Sequence, residues 1–313
     1  MKRQLVLGVL LAIGAASIGV TARQQPAGGA QPAARVVEVD KLKDNLYMLR
    51  GNGGGGNSAV FIMADGVTVV DTKNPGWGQP LLDKIKSVTD KPVLRIINTH
   101  THGDHVSGNV EFPATVEVVT QENTAKNMQE MKSPTGITPA PGTPVNIFKD
   151  HNGKGLPKKT FKDKMSIGKG ADQVDLYYFG RGHTNGDAWV VFPALRTMHA
   201  GDIFSGKNIP LLDAVNGGSG ALIGDTLMKA ANGVKNVDAI ITGHSTVMTV
   251  ADLREYSEFN TDFKNTVQAG KKAGMTVDQI AAAYKIPERF KGYAAPAEAR
   301  LKNNVQIVFD ETK

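Results

Sequence analysis

The chain has 313 residues, of which 41% are hydrophobic and 21% are charged, and it contains no cysteine. This composition supports a sizeable buried core and excludes a disulfide scaffold, a cysteine-ligated metal site and a lipid anchor attached to cysteine. The formal net charge is +6, but the basic residues are scattered without dense blocks, so we expect no nucleic-acid partner.

Residues 1–22 have the pattern of a secretory signal peptide. A lysine and an arginine precede the apolar run 5–20, and small residues occupy the last and third-last positions of the stretch. The run is short for a membrane span; a buried N-terminal helix and an uncleaved anchor are the alternatives. Residues 23–35 are predicted to be a disordered linker. We therefore expect a periplasmic or secreted protein with no stable membrane insertion once the signal is removed.

Strand-like runs follow the linker. Residues 46–50 and 58–72 flank the glycine-rich segment GNGGGGNS (51–58), which is either a mobile lid or a solvent-exposed hairpin. The pair Asp65-Gly66 predicts a tight turn inside the second run. The next predicted elements are a helix at 81–89, strands at 93–100 and 116–120, and a helix at 122–132.

The second half of the chain continues the mixture of strands and helices. Residues 133–170 are rich in Pro, Gly and Lys and are predicted to be a long surface excursion. Strands are predicted at 173–180, 188–193 and 239–244, and helices at 252–270 and 276–285. Thr276 and Gln279 have capping-box spacing. The pattern favours an α/β domain over 36–313 with a helical C-terminal extension (about 251–313), for which two packed sheets with helices outside are one layout.

The stretch NTHTHGDH (98–105) contains three of the seven histidines of the chain. On an extended strand, residues i and i+2 point the same way, so His100 and His102 can face one ion. Gly103 permits a sharp turn, after which Asp104 and His105 can face a second ion. The spacing therefore predicts a metal site at a strand end, with room for two ions.

Three further segments place a donor after a strand and a small residue. They are GRGHTNGD, MHAGDIF and ITGHS, which contribute His183, Asp202 and His244. Each of these residues alone is more typical of a structural position. Beside the histidine cluster, we interpret all three as metal ligands, because imidazole and carboxylate are common ligands of Zn²⁺, with iron or manganese as alternatives.

This set of motifs resembles the metallo-β-lactamase superfamily. The match covers roughly residues 36–250 and includes Asp71 in VTVVDT. The resemblance implies a four-layer αββα sandwich with the metal ions at one edge, between the sheets. It also implies two zinc ions per chain, and Asp71 would orient a ligand or a nearby loop without touching metal. The implied ligand sets are His100, His102 and His183 for one ion, Asp104, His105 and His244 for the other, with Asp202 bridging.

The resemblance implies a hydrolase that uses a metal-bridging hydroxide on a small amide, ester or thioester. Asp104 would orient the nucleophile or carry its proton as the catalytic residue. Lys207 and Asn208 are candidate substrate contacts, although an ordinary surface lysine is an equal interpretation. The best-known antibiotic-cleaving branch has cysteine at the place of Asp202. The aspartate therefore favours the thioesterase and lactonase branches, whereas export suits β-lactamase-like defence.

Other interpretations remain open. The same scaffold supports iron-dependent enzymes that use oxygen, and a non-catalytic metal-binding module is a further alternative. A nuclease is disfavoured by the scattered basic residues and the predicted export. The partner is expected to be a small-molecule substrate, and the sequence leaves the substrate, the metal and the oligomeric state open.

Overall fold

The computed structural model describes residues 35–139, 142–143 and 146–312. The predicted signal peptide, and the predicted linker apart from residue 35, lie outside the described residues. The described part of the chain forms two β-sheets with helices on both outer faces. The predicted αββα sandwich is confirmed. Within the same residues, none of the helices combines the length and apolar character needed to span a bilayer.

The first sheet has seven strands in chain order, β1 to β7. The first four pair antiparallel, and β4 through β7 pair parallel. The parallel strands end at the same edge of the sheet, which is the edge that carries the histidine motif. The strands are Val37–Lys43, Leu46–Gly51, Ser58–Ile62, Val67–Val70, Val93–Ile97, Glu117–Gln121 and Lys159–Phe161.

The second sheet has five strands in the order β12-β11-β10-β9-β8. Only β11 and β12 pair parallel, and the other neighbours are antiparallel. The strands β8 to β12 are Lys164–Ile167, Val174–Tyr177, Trp189–Phe192, Thr197–Gly201 and Ala239–Thr242.

Eight α-helices accompany the sheets in the described residues. Helices α1 to α4 are Gly78–Lys86, Gly103–Val106, Glu122–Glu130 and Ile147–Asp150. Helices α5 to α8 are Ile223–Gly233, Val250–Lys272, Val277–Ala283 and Glu298–Glu311. The last three form the predicted helical C-terminal region.

Three apolar clusters hold these layers together. Between the sheets, Phe61 of β3 packs at 5.1 Å between ring centroids from Phe192 of β10. Helix α1 packs through Leu81 on the outer face of the first sheet. Helices α5, α6 and α8 cover the outer face of the second sheet, with Phe259 and Val305 in that cluster. Burial of each such side chain stabilises the fold by about 1.5–3 kcal/mol.

Two local predictions are confirmed by hydrogen bonds. Strands β3 and β4 form an antiparallel hairpin, in which the Met63 amide donates to the Gly66 carbonyl at 2.8 Å across the predicted turn. Helix α7 begins with a capping box, since Thr276 and Gln279 each accept the other's backbone N–H.

The predicted surface excursion at 133–170 is wrong for its second half. This part contains strands β7 and β8, which lie at the edges of the first and second sheets. The chain passes from one sheet to the other between Phe161 and Lys164. These strands have three and four residues, which is too short for an alternating hydropathy pattern to be visible.

Strand β5 ends at Ile97, three residues before the predicted end at His100. The Thr99 backbone N–H donates to Asp71 Oδ1 at 2.8 Å, so it does not continue the ladder of the sheet. The histidine motif therefore lies in a loop, and Asp104 and His105 belong to the one-turn helix α2. His102 is the extended residue at the start of that helix.

Candidate metal centre

The fold gathers the side chains of all seven predicted ligands at one edge of the two sheets. His100 and His102 follow β5, whereas Asp104 and His105 lie on α2. The loop after β9 contributes His183, Asp202 directly follows β11, and His244 follows β12. These segments meet because the strand ends that precede them share one edge of the sandwich.

The seven side chains form two adjacent donor groups. The first consists of His100, His102, His183 and Asp202, and the second of Asp104, His105 and His244. In each group, one donor atom from every residue lies within 4.8 Å of the others.

Asp202 lies between the two groups. Its Oδ1 is 3.1 Å from His105 Nε2, and its Oδ2 is 3.2 Å from His244 Nε2 and 3.8 Å from His183 Nε2. A carboxylate in this position can contact ions in both groups. Its place agrees with the bridging role that the resemblance implies.

The donor set fits a cation. Within the described residues, Nε2 of His100 is buried and has no hydrogen-bond partner. The His100 ring centroid lies 4.7 Å from that of His102 and 4.6 Å from that of His183. Burying nitrogen lone pairs without partners is costly, and a metal ion would satisfy them.

His100 and His183 of the first group are held in the neutral form that binds metal. Burial, with the neighbouring imidazoles, lowers the pKa of His100 well below its usual value. Burial also lowers the pKa of His183 to about 4, with His102 as the second cause. Both rings therefore offer lone pairs at neutral pH.

The second group carries protons when no metal is bound. Burial disfavours the charged form of His244, but Asp202 and Asp104 outweigh it and raise the pKa to about 9. The carboxylates likewise overcome burial and raise the pKa of His105. Burial opposes ionisation of Asp104, yet His105 and His244 lower its pKa to about 2. A cation bound by this group would take the place of the imidazolium protons.

Three imidazoles of the donor groups each have one ring nitrogen in contact with an oxygen outside the groups. Nε2 of His102 lies 2.8 Å from Asp213 Oδ2, and Nδ1 of His105 lies 2.7 Å from Asp71 Oδ2. Nδ1 of His183 contacts the Leu211 carbonyl. Each contact occupies one ring nitrogen and leaves the other for a metal.

Asp71 does more than orient His105. It is buried with φ 58°, and Thr99 donates to it through both the backbone N–H and the hydroxyl. One carboxylate thus fixes a ligand of the second group and the loop just before His100. The resemblance puts Asp71 beside a ligand; its carboxylate also lies within 4.8 Å of donor atoms of His100 and His105.

Comparison with known proteins decides the family. The family model of the metallo-beta-lactamase superfamily matches residues 51–244, which is more than half of the chain and includes all seven gathered side chains. The chain belongs to the metallo-β-lactamase superfamily. It is accordingly a metal-dependent hydrolase.

Individual relatives agree with this membership. The "Metallo-beta-lactamase type 2" of Elizabethkingia meningoseptica is 25% identical over 260 residues, which cover 78% of this chain and 89% of that protein. The metallo-beta-lactamase from Pontibacter korlensis has a TM-score of 0.56 at 20% identity, over 72% of this chain and 99% of that one. The sec-alkylsulfatase Pisa1 from Pseudomonas sp. has a TM-score of 0.64 at 14% identity; the match covers 88% of this chain and half of the sulfatase.

The glycine-rich segment of this superfamily member packs directly against the second donor group. Gly54, Gly56 and Asn57 are buried, so the exposed-hairpin alternative is wrong for this part. A Cβ at Gly56 would lie 2.0 Å from Cε1 of His105, and one at Gly55 would lie 2.4 Å from the Asp104 carbonyl. Glycine is required here because the backbone passes so close to the ligands.

Lys73 supports the same segment and was not found from the sequence. Its side chain is fully buried, and Nζ donates to the Gly56 carbonyl at 2.6 Å. Burial lowers its pKa to about 8, although Asp71 and Asp104 oppose the shift. Only its position, two residues after Asp71, hinted at a role.

Asp213 was also missed. It is fully buried and accepts hydrogen bonds from both the backbone N–H and the hydroxyl of Thr135, at 2.9 and 3.0 Å. Burial opposes its ionisation, but His102 and the hydrogen bonds hold its pKa well below the usual range. Its sequence surroundings, LLDAV, contain no motif that would have found it.

A cavity of about 600 Å³ opens onto both donor groups. Asp104, His244 and Asn208 line it, so Asn208 lies where a substrate contact was predicted. Lys207 is not among the lining residues. Its ammonium instead lies 3.2 Å from Asp252 and 3.0 Å from Glu255.

Proposed function

We propose that this chain is an exported dinuclear zinc hydrolase that cleaves a small amide, ester or thioester. The observation that carries the proposal is the position of Asp202 between two complete donor groups, 3.1 Å from His105 and 3.8 Å from His183. A chain that bound a single ion would need only one of these groups. Two groups joined by one carboxylate favour a pair of ions.

Divalent ions bound here would lower the pKa of bound water to about 7 and polarise the bond to be cleaved. The residues of the chain position and protect that chemistry. Asp213 and Asp71 hold the rings of His102 and His105 in one orientation. The glycine segment shields His105 from solvent, and this ring is fully buried.

Asp104 is the residue placed to move the proton. Its carboxylate lines the cavity, and its Oδ2 lies 3.2 Å from His244 Nε2. We infer that Oδ1 is left to accept a proton from the attacking water and to return it to the leaving group. A lowered pKa keeps Asp104 ionised at neutral pH.

The substrate branch is supported less directly. The relative named metallo-beta-lactamase type 2 favours a cyclic amide, whereas the aspartate at position 202 favours lactones and thioesters. The N-terminal pattern of residues 1–22 supports export to the periplasm or beyond. Cell fractionation of the expressed protein tests the proposed export, and mass spectrometry shows whether residues 1–22 are removed. A protein that stays in the cytoplasm with residues 1–22 intact would contradict export.

One experiment tests the chemistry. The zinc-loaded protein is assayed with a chromogenic cephalosporin, an acyl-homoserine lactone, a thioester, an aryl phosphodiester and a secondary alkyl sulfate. We expect turnover of a carbonyl substrate that is abolished in His102→Ala and Asp104→Ala. His151→Ala is the matched control, because His151 is an exposed histidine outside the cluster.

Metal analysis of the same samples separates the alternatives. About two zinc ions per chain support the proposal, whereas one iron with oxygen uptake would support the iron-dependent enzyme. Failure of every substrate despite full metal loading would support a non-catalytic metal-binding module.

A further inference from the structure

The C-terminal helix α8 contributes one residue, Arg300, to the wall of the cavity. The helix is fixed at two points to the segment 210–221, which follows Asn208 in the chain. Asn304 donates to the Pro210 carbonyl at 2.7 Å, and Glu311 accepts the Ala221 backbone N–H at 2.9 Å. Arg300 therefore lies on a rigid element, anchored to the segment that follows Asn208.

Arg300 is exposed and has no carboxylate partner among the described residues. Two of the residues that line the cavity, Lys132 and Arg300, are lysine or arginine. Lys132 lies 2.7 Å from Glu130, but no carboxylate of the described residues lies within 4.0 Å of Arg300. Lys207, the cation predicted to bind substrate, is paired with Asp252 and Glu255 outside the cavity lining.

A second donor lies in the same cavity. Ser205 donates its hydroxyl hydrogen to Asn208 Oδ1 at 3.3 Å. Within the described residues, no acceptor for the amide hydrogens of Asn208 is present. A planar guanidinium and an amide N–H are each donors that suit an oxyanion.

Apolar side chains form another part of the cavity wall. Met131, Ile137 and Ile147 line it, and Ile137 is 42% exposed, which is unusual for a residue of this type. An apolar group of a ligand would cover this surface. The cavity thus combines a free cation with an apolar wall beside the donor groups.

We propose that Arg300 is a specificity-determining residue that binds an oxyanion of the substrate, such as a carboxylate, while the apolar wall takes an attached hydrocarbon group. This inference rests on the proposed hydrolase function and narrows its substrate class to amphiphilic organic anions. It assigns to the C-terminal helix the cationic substrate contact that the sequence placed at Lys207.

Equilibrium binding tests the assignment. The affinities of the purified, zinc-loaded protein for 4-phenylbutyrate and for its neutral amide, 4-phenylbutyramide, are measured by calorimetry. Because the acid can also approach the metal ions, the deciding quantity is the change between variants. We expect Arg300→Gln to weaken acid binding roughly tenfold and to leave amide binding unchanged, with partial recovery in Arg300→Lys.

Two matched variants are the controls. Lys207→Gln and Arg289→Gln remove cations that are paired with carboxylates and do not line the cavity, so both should retain the preference for the acid. Equal acid affinity in wild type and Arg300→Gln would overturn the proposal. Loss of the preference in Lys207→Gln would overturn it as well.

Turnover distinguishes this failure from failure of the proposed function. Arg300→Gln should raise KM for an anionic cephalosporin roughly tenfold and leave KM for its methyl ester and both kcat values unchanged. If the wild type cleaves the cephalosporin and its methyl ester but Arg300→Gln changes KM for neither, the inference about Arg300 is wrong. The proposed hydrolase function is then still supported. If the wild type cleaves no substrate of the panel, the proposed hydrolase function is contradicted. The binding measurements then still test the role of Arg300.

Discussion

The Asp213 carboxylate lies 2.8 Å from Nε2 of His102, on the side of the ring away from its Nδ1. That Nδ1 is 3.1 Å from Nε2 of His183, inside the first donor group. A buried carboxylate on one nitrogen therefore decides which nitrogen of His102 is presented to a metal. The same carboxylate binds Thr135, so a ligand and the segment beside the cavity are fixed by one side chain.

Replacing Asp213 tests this arrangement. In Asp213→Asn the amide keeps the shape but loses the charge that fixes the tautomer of His102. We expect metal affinity to fall about 10–100-fold, measured by competition with a chromogenic chelator. Asp150→Asn, at an exposed position on α4, should leave the affinity unchanged. An Asp213→Asn protein that retains wild-type affinity would show that this contact does not prepare the site.

The glycine segment gives a second prediction. In Gly56→Ala the new methyl group collides with the buried ring of His105, which cannot move away without breaking its contact with Asp71. We expect metal content in the second group to be lost and turnover to fall at least roughly tenfold. Metal analysis and kcat measure the two effects.

Gly53→Ala is the control for backbone strain. Gly53 has φ +74°, and a Cβ there meets nothing within 4 Å. The substitution should lower the free energy of unfolding by about 1 kcal/mol without changing metal content. Equal metal loss in both variants would mean that strain, not the collision with His105, disturbs the site.

Lys73 makes stability depend on pH in a defined window. Its pKa is about 8 in the folded chain and 10.5 in the unfolded chain. Between these values the unfolded state binds more protons, so the contribution of Lys73 to stability rises with pH. Relative to Lys73→Met, the wild type should gain up to about 3 kcal/mol from pH 8 to 10.5.

Urea unfolding of both proteins at pH 7, 8, 9 and 10 checks this slope. Other titrating groups cancel in the difference, because the two chains share them. Below pH 8 the difference should be constant. A difference that stays constant up to pH 10 would show that Lys73 is not held with a lowered pKa.

Metal binding should release protons. His244, with a pKa of about 9, and His105, with a raised pKa, are protonated at pH 7 when no metal is present. Zinc must displace these protons, so we expect about two to be released per chain. Calorimetric titration of the chelator-treated protein in two buffers of different ionisation enthalpy gives the number. His244→Ala should release about one fewer; an unchanged number would contradict the assignment.

The sequence by itself located the donors of the candidate centre. The spacing in NTHTHGDH places three imidazoles and a carboxylate within six positions, and such local density survives any fold that keeps the segment together. His183, Asp202 and His244 could be added because each follows a strand, and strand ends gather at the edges of sheets. The four-layer arrangement itself came from the resemblance, since strand and helix patterns alone fit several layouts.

Only the tertiary structure decided what surrounds those donors. Asp213 lies 111 positions after His102, and Arg300 lies 200 positions after His100, both in segments without a motif. The positions of Asp213 and Arg300 in the fold depend on how a loop and the C-terminal helix pack. Lys207 and Lys73 look alike in the sequence, yet one pairs with carboxylates near the surface and the other is buried against Gly56. Ligand identity follows from local chemistry, whereas burial and charge pairing depend on distant segments, which no local pattern records.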